Sequence, residues 1–318
     1  MASSPSIRLG ISRCLLGDEV RFDGGHRRDH YLTDLLGRYV EWVPVCPEVE
    51  AGLGTPRDMM RLVGDPLHPR LVTIESGIDH TKALNKMSVR RIRELKQLDL
   101  SGYVFKKNSP SCGIEQVRIY DERGKQSGSG IGLFARAFRE QFPLIPVEDE
   151  GRLCDPTVRE HFIERIFAYR RWQDFMHGRV TKQALVQFHL IHKYLLMAHS
   201  PQQYHALGRL VGQAEQQSPK TLANLYGESF MKALAVNTTV RKQVNVLQHM
   251  LGYFKTMLSA QEKAELLGAI DEYHRERTPL LVPLTLLKHY AQVFEVSYLQ
   301  GQVYLNPSPP EIMLKHHV

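Results

Sequence analysis

Cysteine is scarce in this chain. There are four in 318 residues, and none is spaced as C-x-x-C, so neither a zinc ribbon nor a local dithiol redox motif is written in it. No apolar run approaches the ~18–20 residues of a membrane span. The start, Met1-Ala2-Ser3-Ser4-Pro5, lacks the apolar centre of a secretory signal. The expectation is a cytoplasmic protein with no membrane partner, in a compartment where thiols stay reduced. Cysteines there serve metal, cluster or catalytic roles more readily than disulfides, with buried inert thiols as the alternative. An internal repeat is also missing. So is a dinucleotide loop: Gly128, Gly130 and Gly132 do not match G-x-G-x-x-G, and no strand is read immediately before them, so a flexible turn ahead of a helix is expected.

A surplus of acid is lacking as well, and the charge is unevenly spread. Residues 1–155 carry 23 Lys and Arg against 22 Asp and Glu, a net of +1, whereas residues 156–318 carry 18 against 12, a net of +6, with 11 of the 15 histidines. A basic second half suits a polyanionic partner, nucleic acid first, although many basic proteins bind none.

What is present centres on Lys106-Lys107-Asn108-Ser109-Pro110-Ser111-Cys112-Gly113. It follows the apolar run Tyr103-Val104-Phe105 and has the composition of a tight turn. Cys14 follows the strand-like run Ile7–Ser12, and Cys46 follows Tyr39–Val45. Three strand-like runs therefore each lead into a turn that bears a cysteine, and the carboxyl ends of strands are where open α/β sheets place ligand-handling groups.

Along the chain, Asp29 caps a short helix to about Gly37, Leu71–Ile74 reads as a strand, and Asp79 to Leu98 has helical spacing. Val117–Tyr120 reads as a strand, and Gly132–Gln141 as a helix. Strands alternating with helices predict an α/β domain with a largely parallel sheet over residues 1–150. Glu148-Asp149-Glu150-Gly151 reads as a polar hinge. Beyond it, residues 151–318 read as an all-α helical bundle. Val240, Val244, Leu247, Leu251, Phe254 and Leu258 form an apolar stripe, flanked by a polar face of Arg241, Asn245, Gln248 and Lys255. Ser259 and Glu262 form a capping-box pattern. Pro283 opens a last helix to about Leu299, and Asn306–Pro310 reads as a loose tail. Lys182, His189 and Lys193 share a helical face; His189 and His192 lack the further ligands of a metal set, leaving a phosphate-facing or merely solvated surface.

Two readings of Cys14, Cys46 and Cys112 stand at this point. Converging at one end of a sheet, three thiolates could hold an iron–sulfur cluster with one iron left open, as catalytic metal sites require. Otherwise they are small buried residues near strand ends. Cys154 is either a fourth ligand or an inert thiol at a domain junction. Glu48, two residues after Cys46, is a candidate general base or acid. Ser109 and Ser111 could hold a substrate oxygen or water, or simply make the turn. Lys106 and Arg57 could bind an anionic group, and Asp23 a base edge or Arg21.

Cys14-Leu15-Leu16-Gly17, Val20-Arg21-Phe22-Asp23-Gly24, Cys46-Pro47-Glu48 and Lys106-x-x-Ser109-Pro110-Ser111-Cys112-Gly113 together resemble the thiouracil desulfidase family, over roughly residues 7–150. The second half resembles the domain fused to this enzyme in bacterial proteins that remove sulfur from 4-thiouridine in tRNA. The resemblance implies a 4Fe-4S cluster on Cys14, Cys46 and Cys112, with Glu48 and Ser109 at the catalytic positions and Asp23, Lys106 and Ser111 near the substrate. It implies hydrolysis of C=S to C=O with hydrosulfide as product, tRNA as substrate, and the helical half as a tRNA-binding domain. Free thiouracil or a thionucleoside is the alternative substrate. A non-enzymatic RNA-binding protein with a structural four-cysteine metal site is the alternative of another class.

Overall fold

The structure, a computed structural model, describes residues 7–212 and 218–308. They divide into two compact units, the chain passing from the first to the second between Arg170 and Arg171. No helix among the described residues is long and apolar enough to cross a membrane.

The first unit holds two four-stranded sheets. The first consists of β2 (Val40–Val45), β1 (Ile7–Ser12), β5 (Gly102–Phe105) and β8 (Val147–Asp149), in that order and all parallel. Its two central strands are largely apolar and buried on both faces because both faces are covered, whereas the edge strand β2 exposes Glu41, which pairs with Arg8 of β1 at 2.9 Å. Tyr103 and Phe105 point into a core shared with helices α2 (Thr81–Leu95) and α3 (Leu133–Gln141), where their rings stack at 3.9 Å. Val104, between them, joins Leu9 and Ile11 in a second core beneath Phe162, Ile163 and Ile166. Gly10 makes room for Tyr103: a Cβ there would stand 2.1 Å from the ring.

The second sheet has the order β4 (Arg70–Thr73), β3 (Met60–Val63), β6 (Val117–Tyr120) and β7 (Gln126–Gly130). Only β3 and β6 run parallel; the two outer pairs are antiparallel. The expected flexible glycine turn is thus corrected. Gly128 and Gly130 lie in β7, where Gly130 faces Val117 and a Cβ would press on Ile119 at 2.8 Å.

The expected polar hinge is corrected too. Glu148 and Asp149 are the buried last residues of β8. Their carboxylates are tolerated because Arg152 reaches back, its Nε donating to Glu148 at 2.8 Å and its backbone N–H to Asp149 at 2.9 Å.

Beyond Cys154 the elements of the described residues are helical: α4 (Pro156–His177), α5 (Lys182–Ile191), α6 (Lys193–His199), α7 (Pro201–Gly212), α8 (Pro219–Leu234), α9 (Val240–Leu251), α10 (Ala260–His274), α11 (Leu281–Val293) and α12 (Ser297–Gln300). The Ser259–Glu262 capping box forms in full. Arg241, Asn245, Gln248 and Lys255 are exposed, as the stripe predicts. The expected last helix breaks at Glu295, whose positive φ of 50° ends α11 before α12 begins. His189 and His192 face no phosphate: both are buried. His189 Nδ1 meets the Tyr226 hydroxyl at 3.1 Å, and His192 sits between the Phe188 carbonyl at 2.7 Å and Arg171 Nε at 3.2 Å. The expected tail begins held rather than loose, since Arg171 donates to the Pro307 carbonyl at 2.8 Å; Pro309 and Pro310 lie outside the described residues.

Candidate active site

Three adjacent strands of the parallel sheet, β2, β1 and β5, deliver their cysteines at their carboxyl ends. Cys46 follows β2 directly, and Cys14 lies two residues after β1 in a 3-10 turn that Gly17 closes with a φ of 102°. Cys112 lies seven residues after β5. Its turn is clamped by the start of α3: Gly132 N–H donates to Gly113 O at 2.8 Å, and Phe134 N–H to Ser111 O at 3.0 Å. Gly132 is required for this approach, because a Cβ would fall 2.5 Å from the Ser111 carbonyl carbon.

All three cysteines, with Glu48, Ser109, Lys106 and Arg57, line one cavity of ≈ 340 Å³, the size of a small-ligand site. The three are free of disulfides and buried. Burial pushes the Cys14 thiol up to about 11 and the Cys46 thiol up to about 12, with Glu48 adding to the latter, and it raises Cys112 well above the usual thiol value.

The sulfurs stand around the cavity wall. Among the described residues no three His, Cys, Asp or Glu are gathered closely enough for a single metal ion. The donor set is nonetheless all thiol, drawn from three separate strand ends. It fits a cluster of several irons, which takes its thiolates on different iron atoms.

Glu48 is buried in α1 (Pro47–Glu50), and its Oε2 lies 3.6 Å from Cys46 Sγ and 3.9 Å from Arg57 Nη2. Ser109 Oγ accepts the backbone N–H of Ser111 at 3.2 Å and of Cys112 at 3.0 Å. Its oxygen is engaged in shaping the turn, and its own proton is what it has to give. The Lys106 ammonium lines the cavity but is paired with Glu150.

Two of the expected substrate residues fall outside the cavity lining. Asp23 is exposed, and the Gly25 N–H it accepts at 3.1 Å holds its carboxylate below the usual range, with Arg21 close by at 3.4 Å. Ser111 is fully buried, and its hydroxyl has no hydrogen-bond partner among the described residues. Cys154 is also outside: it is exposed, 3.5 Å from the Glu150 carbonyl.

Two structural participants were not read from the sequence. Ser12 is buried at the end of β1 and lines the cavity, its Oγ accepting the Lys106 N–H at 2.9 Å; its place two residues before Cys14 was the available signal. Glu150 holds Lys106 from 44 residues away, a pairing that no local pattern encodes.

Residues 9–150 match a family model described as 2-thiouracil desulfurase, and residues 193–309 one described as a protein of unknown function, DUF1722. The uncharacterized protein YbgA of Escherichia coli (strain K12) is 33% identical over 153 residues, 48% of this chain and 90% of the relative. The uncharacterized protein YbbK of Bacillus subtilis (strain 168) is 31% identical over 128 residues, 38% of this chain and 83% of the relative. A solved structure of the [4Fe-4S]-dependent thiouracil desulfidase TudS is 31% identical, spanning 46% of this chain and 93% of that one, with a TM-score of 0.39.

Proposed function

Residues 9–150 of this chain match the 2-thiouracil desulfurase family, and from that premise we propose that the protein is a 4Fe-4S-dependent desulfidase acting on 4-thiouridine in tRNA. The observation that carries this reading is the single cavity into which the three cysteines, Glu48 and Ser109 all open.

The reaction balances without redox chemistry. The oxygen of water bonds to the thiocarbonyl carbon, the carbon–sulfur bond breaks, and sulfur leaves with its electron pair as hydrosulfide. Cys14, Cys46 and Cys112 would hold the cluster, which when bound supplies a thiophilic Lewis acid for the substrate sulfur.

The remaining roles belong to side chains. Glu48 takes the proton from the attacking water, held by Arg57, which is itself fixed by donating to the carbonyls of Val20 at 3.0 Å and Gly54 at 2.9 Å. Ser109 offers its hydroxyl proton to the reacting base, since its oxygen is already committed to the turn. Lys106, paired with Glu150, lines the cavity as one half of an ion pair and takes no part in the proton transfer.

The tRNA substrate is supported by the net +6 of residues 156–318 and by the exposed face of Arg241, Asn245, Gln248 and Lys255. Phosphate contacts release counterions, so binding through them weakens steeply with salt. A free thiolated base is the second reading, favoured by a family description that names one and by a cavity large enough for a single base. The full chain, prepared without oxygen, separates the two when kcat/KM is measured at two salt concentrations on thiolated tRNA and on the free base. The tRNA reading expects a preference for tRNA that collapses as salt rises; equal values at both concentrations would leave the free base as substrate.

A further inference from the structure

The outer face of the second sheet carries a groove of ≈ 910 Å³ that shares Met59, Met60, Lys107, Asn108 and Pro110 with the rim of the cysteine cavity. Its chemistry follows from the register. Leu62 of β3 pairs with Ile119 of β6, and both are fully buried in the core. Side chains alternate along a strand, so the residues just before them, Arg61 and Arg118, lie opposite one another on the outer face. Arg118 pairs in turn with Ser129 of β7. Tyr120, two residues on, stays on the same face, with the Arg61 guanidinium 5.3 Å above its ring.

Two features of this face have no use in the fold. Like charges directly opposite on neighbouring strands destabilise a sheet, and Arg61 with Arg118 is such a pair. The groove is also lined by no carboxylate, and among the described residues Arg61 and Arg118 have no acidic partner, whereas Lys107, at the shared rim, gives its backbone N–H to Glu150 at 2.8 Å. Neighbouring cations differ: Arg70 is paired with Glu122 and Asp79, and Lys106 with Glu150. Two unneutralised guanidinium groups and a ring on an open sheet face, with the Lys107 ammonium at the rim shared with the cysteine cavity, complement a chain of phosphates with unstacked bases.

We propose that this groove holds the unpaired RNA strand flanking the thiolated base, with Arg61, Arg118 and Lys107 at phosphates and Tyr120 as a stacking surface. This rests on the desulfidase reading for the identity of the strand, and it gives the first unit its own hold on RNA, beyond that proposed for the helical half.

The test is fluorescence anisotropy of the full chain with an unmodified, labelled single-stranded oligoribonucleotide of about ten nucleotides, over a range of salt. In an Arg61→Ala, Arg118→Ala double variant, the Kd should rise at least about tenfold at low salt. The slope of log K against log salt should flatten by about 1.4, at roughly 0.7 per phosphate contact on a single strand. That slope change is expected whatever the helical half contributes. Arg118→Lys should keep the slope, which separates lost charge from a disturbed sheet. The preference of the anaerobic protein for a thiolated oligonucleotide over the free base should fall with binding. An unchanged Kd and slope in the double variant would overturn the proposal. So would an equal loss for a thiolated mononucleotide, which would mean a site for one phosphate and not a strand. Failure of the unaltered protein to desulfurise any thiolated substrate would overturn the desulfidase reading and leave the anisotropy result to decide the groove separately.

Discussion

Arg57 holds three separate parts of the chain at one guanidinium: it lies 3.9 Å from the Glu48 carboxylate and donates to the carbonyls of Val20 and Gly54. Its own N–H reaches the Phe22 carbonyl at 2.9 Å. The loop that follows Cys14 and the helix that follows Cys46 are thereby tied together beside the candidate base. A carboxylate this buried needs such a counter-charge nearby.

Glu48→Gln keeps the shape and removes the base. The expected outcome is a protein with its full iron and sulfide content whose kcat has fallen ~10²–10⁴-fold, the usual contribution of a positioned acid or base. Near-normal turnover at full cluster content would remove Glu48 from the chemistry.

Ser109→Ala should behave differently. The Ser109 hydroxyl oxygen supports the backbone N–H of Cys112, and a buried donor left without a partner costs about 1–3 kcal/mol. Iron content per chain should therefore drop along with activity, whereas Glu48→Gln loses activity alone. Iron and sulfide assays on anaerobic preparations of both variants make the comparison.

Cys154 separates the enzyme from a protein with a structural four-cysteine metal site. It is exposed, outside the cavity lining, and 3.5 Å from a backbone carbonyl. Cys154→Ser should leave metal content and colour unchanged, while Ser at Cys14, Cys46 or Cys112 should abolish both. Loss of metal from the Cys154 variant would favour the scaffold.

The helical unit should be acid-sensitive. Burial, with Arg171 alongside, holds His192 well below 6.5, and burial lowers His189 as well. The unfolded chain takes up protons at about 6.5 that the folded chain refuses. The stability contributed is therefore complete above that pH and is lost as pH falls below it, by up to about 1.4 kcal/mol per pH unit for one such group. Hydrogen exchange in α5 and α6, corrected for intrinsic rates, should quicken between pH 7 and 5.5; equal protection at both would contradict the neutral buried histidine.

What the sequence displayed of this fold depended on how local the cause was. Mostly apolar runs before Cys14, Cys46 and Cys112 mark β1, β2 and β5: β5 is buried throughout and shows no polar alternation, while β1 and β2 are each broken by one charge, Arg8 and Glu41, that pair with each other. The Ser259–Glu262 box and the Asp29 cap, which accepts the Leu32 N–H at 3.0 Å, are written within four residues. β3 is short and interrupted by Arg61, and β7 is largely glycine and serine, so neither resembles a strand until its partner is in place. Glu148 and Asp149 look like a solvated hinge because the residue that satisfies them, Arg152, acts only once β8 has formed. Of the site, the three cysteines, Glu48 and Ser109 are recognisable as motifs. The pairing of Lys106 with Glu150 and the seclusion of Ser111 are properties of the folded chain alone.

If a cluster held by three cysteines removes sulfur from a thiolated base in tRNA, the sulfur must appear as hydrosulfide. The direct measurement is hydrosulfide release from 4-thiouridine-containing tRNA by the full chain prepared without oxygen and carrying about four irons. One hydrosulfide and one uridine are expected for each thiocarbonyl consumed, with no external reductant, and none from Cys112→Ser. A fully loaded brown protein that leaves the thiolated base intact in tRNA, as nucleoside and as free base alike would contradict this.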